Sequence, residues 1–480
     1  MIATRAGPRG FPRSSALLNN MPATDFASLH LKPELFANLE TLGYAQMTPI
    51  QTLSLPPVLA GLDVIGQGKT GSGKTAAFGL GLLQKLDVKR FRIQTLVLCP
   101  TRELADQVAV EIRKLGRGLH NVKVLTLCGG AAIGPQIGSL EHGAHIIVGT
   151  PGRIEDHLRK GTLKLDDVDT LVLDEADRML EMGFQDSLEA IVAHIPASRQ
   201  TLLFSATFAE DMQRIAKGMM RDPVMLEVKA DEGLSKIDQR FYKVGADLDR
   251  LTALRLLLQD IRPESALVFC TTKRDVDDVC QQLQRHNFSA LALHGDMEQR
   301  DRDRTLILFS NNSVSVLVAT DVAARGLDID ALDLVVNYHP ARDSDTHVHR
   351  IGRTGRAGSK GLACTLFDES DAHKITRLEV PGDPVRHPQP LPSLSLLDIK
   401  TPYPAMQTLQ IDGGKKQKLR PGDIVGALTN GAEITFAQIG KINVTDNSAY
   451  VAVRQEIARL AQQKLTTGKL KGRSFRVRKL

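Results

Sequence analysis

A glycine-rich octapeptide is the segment of the chain best suited to phosphate chemistry. Residues 68–75 read GKTGSGKT and fit the pattern G-x-x-x-x-G-K-[ST], between a short apolar run and a helical stretch. Glycines let backbone N–H groups curl around phosphate oxygens, the Lys74 ammonium suits the β- and γ-phosphates, and the Thr75 hydroxyl suits Mg²⁺. The segment therefore predicts a nucleoside triphosphate site. The residues expected to contact the nucleotide here are Thr70, Gly71, Ser72, Gly73, Lys74 and Thr75.

A group of carboxylates follows one hundred residues after Lys74. The apolar run TLVL ends in the segment DEAD at 174–177. A carboxylate at the C-terminal tip of a strand beside a phosphate loop is placed to hold Mg²⁺, so we expect Asp174 and Thr75 to bind the metal. The next carboxylate, Glu175, is suited to orient and deprotonate the attacking water. Alone, the segment is equally well read as a solvated acidic turn; paired with the phosphate loop, it indicates nucleotide hydrolysis.

Two arginines farther along the chain, Arg353 and Arg356, suit the same reaction. Residues 349–356 read HRIGRTGR, in which Arg353 and Arg356 are flanked by glycines that allow close approach. The fixed charge and planar fork of arginine match the negative charge that spreads in a phosphoryl-transfer transition state. A basic surface loop is the alternative interpretation. If both arginines and the phosphate loop touch one nucleotide, ATP lies between two parts of the chain and its hydrolysis opens or closes a cleft, as in a motor.

Short apolar runs alternate with amphipathic stretches from about residue 40 to 370, which predicts doubly wound parallel α/β sheets. The pattern restarts after the polar segment 228–236, so we expect two such units. Seven of the chain's 22 prolines lie between 378 and 404, which indicates an extended linker. The last 75 or so residues read as β-α-β-β-α-β. The expected divisions are 1–20, a disordered basic extension; 21–230 and 236–377, the two α/β domains; 378–404, the linker; and 405–480, a small α+β domain.

Length and composition bound the class of protein. The chain has 480 residues, 42% hydrophobic and 24% charged, which is typical of a multidomain globular protein. No apolar run is long enough to span a bilayer, so a membrane protein is excluded. Five scattered cysteines without a C-x-x-C pair exclude a disulfide scaffold and suit a reducing cytoplasm. We therefore expect a cytoplasmic protein; nothing in the sequence indicates an obligate oligomer or an obligate protein partner, and a monomer is expected.

Positive charge is concentrated at the C-terminal end. The net charge is +6, and residues 403–480 contain 14 Lys and Arg against 5 Asp and Glu. A mildly acidic main part followed by a basic C-terminal segment predicts a catalytic part attached to a module that binds a polyanion. A merely solvated basic surface is the alternative.

Taken in order, these motifs resemble those of the DEAD-box ATP-dependent RNA helicases over residues 24–375. The resemblance implies two RecA-like domains, ATP and Mg²⁺ as cofactors, and RNA as substrate. Gly68 departs from the family, which usually has Ala there, and we expect no consequence because the position precedes the phosphate cradle. The resemblance further implies adenine contacts by Phe26, Tyr44 and Gln51, nucleotide contacts by Gly326 and Asp328, coupling of hydrolysis to RNA by Ser205, Thr207 and His349, and RNA contacts by Thr101, Arg102, Gly130, Thr150, Arg153, Thr272, Arg302 and Thr320.

The order β-α-β-β-α-β is that of an RNA-recognition fold (RRM-like), whose usual signature is aromatic residues that stack bases. Gln410 stands where a stacking aromatic is usual, and Tyr450 is retained. Basic loops are therefore expected to contribute. Candidates are Lys415, Lys416, Lys418, Arg420, Lys469, Lys471, Arg473, Arg476 and Arg478. A helicase core followed by such a domain resembles the bacterial DbpA group, which implies targeting to a hairpin of 23S ribosomal RNA in large-subunit assembly; a generic basic interaction module is the alternative.

Three functional readings follow. The first is an enzyme that couples ATP hydrolysis to local opening of short RNA duplexes. The second is an ATP-gated RNA clamp or assembly factor whose unwinding is incidental. The third, a DNA helicase or transport ATPase, is disfavoured by the resemblance of Phe26 and of GYAQMTPIQ at 43–51 to the Q motif of the DEAD-box family, and by the RNA-type C-terminal domain.

Overall fold

The structure is a computed structural model that describes residues 24–68, 71–208, 210–228, 237–245, 248–324, 332–355, 361–378, 380, 382–431 and 433–480. The described residues before 229 form one compact unit, and those from 237 onward form a second. Within these ranges no helix is both long and apolar enough to cross a membrane.

The first unit is one seven-stranded parallel sheet with helices on both faces. Its strands are β1 (Val64–Gln67), β2 (Thr95–Leu98), β3 (Val124–Leu127), β4 (Ile146–Gly149), β5 (Thr170–Asp174), β6 (Gln200–Ser205) and β7 (Val224–Glu227). Its helices are α1 (Pro33–Thr41), α2 (Pro49–Leu59), α3 (Lys74–Lys85), α4 (Arg102–Leu115), α5 (Ile133–Glu141), α6 (Pro151–Arg159), α7 (Ala176–Glu181), α8 (Gln185–Val192) and α9 (Glu210–Met219). The strand order is β3-β4-β2-β5-β6-β1-β7.

The second unit begins with a six-stranded parallel sheet, ordered β10-β11-β9-β12-β13-β8. Its strands are β8 (Ile237–Lys243), β9 (Ala266–Cys270), β10 (Ala290–Leu293), β11 (Val316–Thr320), β12 (Leu334–Asn337) and β13 (Gly361–Phe367). Its helices are α10 (Arg250–Ile261), α11 (Lys273–Arg285), α12 (Gln299–Ser310), α13 (Asp321–Ala324), α14 (Ser344–Ile351) and α15 (Ala372–Thr376). The prediction of two doubly wound domains is confirmed.

The same unit ends in a four-stranded antiparallel sheet, ordered β15-β16-β14-β17, with two helices on one face. Its elements are β14 (Met406–Ile411), α16 (Pro421–Thr429), β15 (Ile439–Val444), β16 (Ala449–Arg454), α17 (Ala458–Thr467) and β17 (Val477–Lys479). Leu409 and Ile411 point into the core beneath the helices, with Val451 and Val453 of the neighbouring strand. The predicted small α+β domain is thereby confirmed.

The apolar runs recognised in the sequence became buried strands because parallel strands in doubly wound sheets are covered on both faces. All residues of β2, β4 and β5 are buried. Two edge strands, β7 and β8, had not been predicted. They carry exposed and half-buried polar residues, which obscure the apolar pattern.

The described residues of the proline-rich segment, 378, 380 and 382–404, lie along the second unit. The Gln389 N–H donates to the Phe241 carbonyl at 2.7 Å. The Gln259 amide donates to the Ile399 carbonyl at 2.8 Å, and the Thr401 hydroxyl donates to the His286 carbonyl at 3.2 Å. The expected domain limits stay predictions.

Candidate nucleotide site and nucleic-acid contacts

The phosphate loop joins β1 to the N-terminus of α3, and its backbone conformation depends on glycine. Gly71 and Gly73 have φ of 77° and 95°, in the left-handed region. A Cβ at Gly73 would lie 2.5 Å from Gln51 Nε2 and 2.9 Å from Thr48 Oγ1, so no larger residue fits. Lys74 is buried and its Nζ donates to the Gly68 carbonyl at 2.7 Å, while no described residue is a hydrogen-bond partner of the buried Ser72 hydroxyl. The described part of the loop, Gly68 with residues 71–75, is thus a preformed cradle with its cation turned inward.

Side chains at the start of α2 hold the loop in place. The Thr48 N–H donates to Gln51 Oε1 at 2.9 Å, and Gln51 Nε2 donates to the Gly73 carbonyl at 3.2 Å. The Thr48 hydroxyl donates to the Ser72 carbonyl at 2.8 Å. Both ends of the Gln51 amide are therefore engaged within the protein, and its expected contact with adenine stays a prediction.

Tyr44 lies at the rim of the same region. Its hydroxyl donates to Glu111 Oε1 at 2.7 Å, and burial followed by that bond raises the pKa of Tyr44. The buried Phe26 ring meets the Tyr44 ring edge-on, with centroids 6.1 Å apart and an interplanar angle of 82°. Phe26 therefore supports Tyr44 from the core side.

These groups line a cleft of about 670 Å³ within the first unit. That volume lies within the usual range for small-ligand sites. Of the sequence-predicted residues, the cleft brings together Tyr44, Gln51, Gly71, Gly73, Lys74, Thr75, Asp174 and Glu175. Thr48 and one face of α4, to which Leu104, Gln107, Val108 and Glu111 belong, also line the cleft and were not among the residues predicted from the sequence. The spacing i, i+3, i+4, i+7 carried the signal for that face.

The acidic turn forms the floor of the cleft at the end of β5. Burial raises the pKa of Asp174 to about 7, opposed by the nearby Lys74 ammonium and by a hydrogen bond from the Glu175 N–H at 3.1 Å. Glu175 has φ 53°, a left-handed conformation that a non-glycine residue adopts at a cost, and such strain is concentrated at functional sites. A buried carboxyl of this kind is stabilised in its charged form by a cation.

The side chains at the cleft fit Mg²⁺ that arrives with a nucleotide. Thr75 and Asp174 offer a hydroxyl and a carboxylate, the oxygen donors that this cation prefers. Among the described residues, no group of three or more His, Cys, Asp or Glu side chains could hold a metal ion by itself. Mg²⁺ usually binds through one or two carboxylates together with substrate phosphates and waters, so this sparse donor set suits a nucleotide-borne cation.

The segment after β6 connects the acidic turn to the phosphate loop. Asp177 Oδ2 accepts hydrogen bonds from the Thr207 N–H and the Thr207 hydroxyl, both at 3.1 Å. The Gly68 N–H donates to the Ser205 carbonyl at 2.9 Å. Ser205 and Thr207 thus connect the end of β6 to both the phosphate loop and the acidic turn, the two parts of the cleft that would move with a bound nucleotide. Asp177 was not among the predicted site residues, although the acidic segment itself was the signal for it.

The expected RNA contacts of the first unit gather at one edge of its sheet. Thr101 caps α4 by accepting from the Leu104 N–H at 3.3 Å, and Thr150 begins α6 after β4. A Cβ at Gly130 would clash with the Arg102 guanidinium, so these two residues are in contact. Arg153 Nη2 donates to the Ala131 carbonyl at 2.9 Å. Because β3, β4 and β2 are neighbours, their carboxyl ends place all five predicted residues side by side.

The second unit repeats this arrangement. Thr272 caps α11, donating to Asp275 Oδ2 at 2.7 Å. Arg302 of α12 donates to the His294 carbonyl at 3.2 Å, and the buried Thr320 ends β11. Thr272 and Arg302 lie after β9 and β10, and Thr320 is the last residue of β11; these three strands are adjacent.

The arginine segment is anchored by an ion pair between the buried Arg350 and the half-buried Asp321. Arg350 donates to both carboxylate oxygens of Asp321, at 2.6 and 2.8 Å, and this holds α14 against α13. His349 lies in the last turn of α14, and Arg353 follows it as a buried side chain. Of the predicted residues, Thr70, Gly326, Asp328 and Arg356 lie outside the described residues.

Two basic loops of the C-terminal domain adjoin one another. A Cβ at Gly413 would clash with the Phe475 ring, and Lys471 forms an ion pair with Asp423 at 3.5 Å. The Asp412 N–H also donates to the Arg476 carbonyl at 3.0 Å. The two loops therefore make one basic edge. Its exposed cations are Lys415, Lys416, Lys418 and Arg420 from one loop and Lys471, Arg473 and Arg476 from the other.

Three segments of the chain match known protein families. Residues 48–215 match the DEAD/DEAH box helicase family, residues 249–358 the helicase conserved C-terminal domain, and residues 408–479 the DbpA RNA binding domain. The chain is 52% identical over 458 residues to the ATP-dependent RNA helicase DbpA of Escherichia coli strain K12, covering 95% of this chain and 100% of that protein.

The two α/β domains have further relatives. The DEAD-box ATP-dependent RNA helicase CshA of Geobacillus kaustophilus is 45% identical over 356 residues, covering 74% of this chain and 76% of that protein. Among solved structures, S. cerevisiae Dbp5 bound to RNA and ADP BeF3 is similar with a TM-score of 0.68 at 29% identity, covering 74% of this chain and 94% of that chain.

Proposed function

The chain belongs to the DEAD-box family of ATP-dependent RNA helicases, and from that premise we propose that it opens short RNA duplexes locally and is targeted to 23S ribosomal RNA during assembly of the large ribosomal subunit. The basic edge of its C-terminal domain carries the targeting part of this proposal. Seven exposed cations on two adjoining loops suit the phosphates of a folded RNA. The match of residues 408–479 to a DbpA RNA binding domain supports the same assignment.

For hydrolysis, we propose that Lys74 neutralises the β- and γ-phosphates in the cleft of the first unit. Glu175, which lies in the acidic turn with a strained φ of 53°, orients and deprotonates the attacking water. Mg²⁺, held by Thr75 and Asp174, supplies Lewis-acid polarisation of the phosphate oxygens when bound. Arg353 and Arg356 contribute positive charge to the transition state.

We propose that the contacts of the segment after β6 couple ATP hydrolysis to RNA binding. A change at the γ-phosphate position moves the acidic turn, and the two hydrogen bonds between Asp177 and Thr207 transmit that movement to the segment after β6. The threonines and arginines at the carboxyl edges of both sheets hold the sugar-phosphate backbone, which requires no base contact and suits action on any sequence.

The test compares ATPase rates of the full chain with ribosomal RNA, unrelated RNA, duplex DNA and no nucleic acid at one salt concentration. We expect strong preference for ribosomal RNA. We expect the variant K471A/R473A/R476A to lose this preference while keeping stimulation at saturating unrelated RNA. The matched control K441A/R459A removes exposed cations of the same domain outside the basic edge and should behave as wild type.

Two outcomes would contradict the proposal. Equal stimulation by every RNA would reduce the basic edge to a general anchor. Release of bound RNA on ATP addition, with duplex strands left paired in the same mixture, would make the protein an ATP-gated clamp instead.

A further inference from the structure

The C-terminal domain contacts the preceding α/β domain through the polar face of its sheet. Thr408 of β14 is completely buried, on the opposite face of the strand from Leu409 and Ile411. Its hydroxyl accepts from Asn311 Nδ2 at 3.1 Å and lies 2.7 Å from the Ser313 hydroxyl. The turn after α12 therefore covers part of the sheet face on which an RNA-recognition fold is expected to bind RNA.

The uncovered part of the face forms one wall of a cleft of about 360 Å³. Gln410 faces Tyr450 on one neighbouring strand and Arg478 on the other, so the three side chains form a row across the sheet. The opposite wall is α12, which contributes Arg300 and Arg304, one helical turn apart. The two walls thus belong to different domains of the second unit.

The charge of this cleft is strongly positive. Arg300 and Arg304 are exposed, and neither has an ion-pair or hydrogen-bond partner among the described residues. Arg478 is partly neutralised by Asp412, at 2.8 Å. Asp301 is the only side-chain carboxylate among the described lining residues, against the four cations Arg300, Arg304, Arg478 and Lys479. The unpaired guanidinium groups of Arg300 and Arg304 on α12 and the partly neutralised Arg478 on the other wall suit a phosphate, which arginine binds through parallel N–H donors.

The cleft also offers a surface for a base. Tyr450 is half-exposed, and its ring lies on the sheet beside the buried Gln410 amide. The bonds from Gln410 Nε2 to Asp412 and Ser448 are both long, at 3.4 Å. The weakly bonded Gln410 Nε2 is therefore suited to donate a hydrogen bond to a base edge. Aromatic side chains stack any base, so this wall suits an unpaired nucleotide.

We propose that this cleft binds a nucleotide of single-stranded RNA, with its base on Tyr450 and its phosphates between Arg478 and the α12 arginines Arg300 and Arg304. The inference rests on the proposed function only in taking RNA as the ligand. It adds that the second α/β domain forms part of the recognition surface, so one strand is held by two domains together.

The test uses the full chain and a fluorescein-labelled single-stranded heptanucleotide that contains one 4-thiouridine. Fluorescence anisotropy over a salt series gives affinity and charge contacts, and photocrosslinking mapped by mass spectrometry gives the position of the base. We expect a crosslink at Tyr450. We expect R300Q/R304Q to weaken binding about tenfold and to reduce the salt slope by about 1.4, since each phosphate contact to single strands contributes about 0.7.

The matched control R285Q/R386Q removes two exposed arginines of the second unit outside the cleft and should keep its affinity within about twofold. The variant Ser313→Glu places a charge at the contact with the buried Thr408 and should separate the two walls of the cleft. Because the α12 arginines then no longer face Tyr450, adding R300Q/R304Q to this variant should not change the Tyr450 crosslink further.

Three results would overturn the inference: wild-type affinity and salt slope in R300Q/R304Q, a crosslink elsewhere than the cleft, or equally tight binding of poly-glutamate. The proposed function fails on a different result, namely an ATPase rate that is the same with ribosomal and unrelated RNA. The cleft inference can fail alone: R300Q/R304Q would then bind the heptanucleotide normally while the wild-type ATPase still prefers ribosomal RNA.

Discussion

His347 should make the second unit less stable in mild acid. The ring is 2% exposed on α14, with Nε2 3.0 Å from Gln239 Oε1 and the Phe241 ring stacked at 6.2 Å. No described residue is a hydrogen-bond partner of Nδ1. Burial, and then the Arg350 charge, lower the pKa of His347 from 6.5 to about 4. A proton added in the folded state would lie unpaired beside a guanidinium.

The sign and size of the effect follow from linkage. The unfolded chain binds the proton below about pH 6.5, whereas the folded state binds it only near pH 4, so stability is complete above pH 6.5 and falls as the pH decreases. Between pH 7 and pH 5 the loss in the free energy of unfolding is about 2 kcal/mol. We expect His347→Gln to remove this pH-dependent loss, because glutamine keeps a donor for Gln239 and does not titrate.

The assay follows unfolding of each unit separately, since the chain is not a two-state unit. Cys270 and Cys364 are buried in the second unit and Cys99 in the first. Their labelling in urea by a dipyridyl disulfide, read by mass spectrometry at both pH values, gives two unfolding curves. His373→Gln, at an exposed position, is the control and should match wild type. An equal loss of stability at Cys270 and Cys364 in wild type and His347→Gln between pH 7 and pH 5 would contradict this role of His347.

Three further outcomes are expected. Lys74→Ala should lower ATP turnover roughly 100-fold or more by removing the charge at the phosphates; phosphate release at saturating RNA measures it, and normal turnover would disprove the site. Thr207→Val removes the hydroxyl bond to Asp177 and should reduce strand separation per ATP hydrolysed several-fold, measured by parallel unwinding and ATPase assays; an unchanged ratio contradicts the coupling. Gly68→Ala places a Cβ 3.2 Å from Ser72 Oγ, which a slight shift relieves; its KM for ATP should stay within about threefold, and a tenfold rise would show the cradle is tighter than described.

The fold could be predicted where local pattern and burial coincide. Strands such as β2 and β5 each contain the apolar run Leu-Val-Leu and are buried throughout, so their burial between helices was visible from the sequence. The edge strand β8, read IDQRFYK, mixes charged and apolar side chains because only part of it is covered. Its pairing with β13 depends on residues more than a hundred positions away, which no local pattern contains.

The site was predictable to the extent that it is contiguous in sequence. The phosphate loop and the acidic turn each carry their own spacing. By contrast, the contact of Gln51 with Gly73, the bond of Tyr44 to Glu111 and the bonds of Asp177 to Thr207 join separate segments. Buried polar groups must find partners, but only the folded chain determines which.

The proline-rich segment sets where the chain can be cut or joined. Leu378 is buried with Val380 and Val385 against Phe241 and Phe367, so this stretch completes the surface of the second unit. A truncation at 377 would remove Leu378, Val380 and Val385, expose Phe241 and Phe367, and favour aggregation. Chimeras that exchange the C-terminal domain should therefore keep residues 378–404 and join the new domain at the start of β14. The new RNA-binding domain would then lie against the same turn at Asn311 that contacts Thr408.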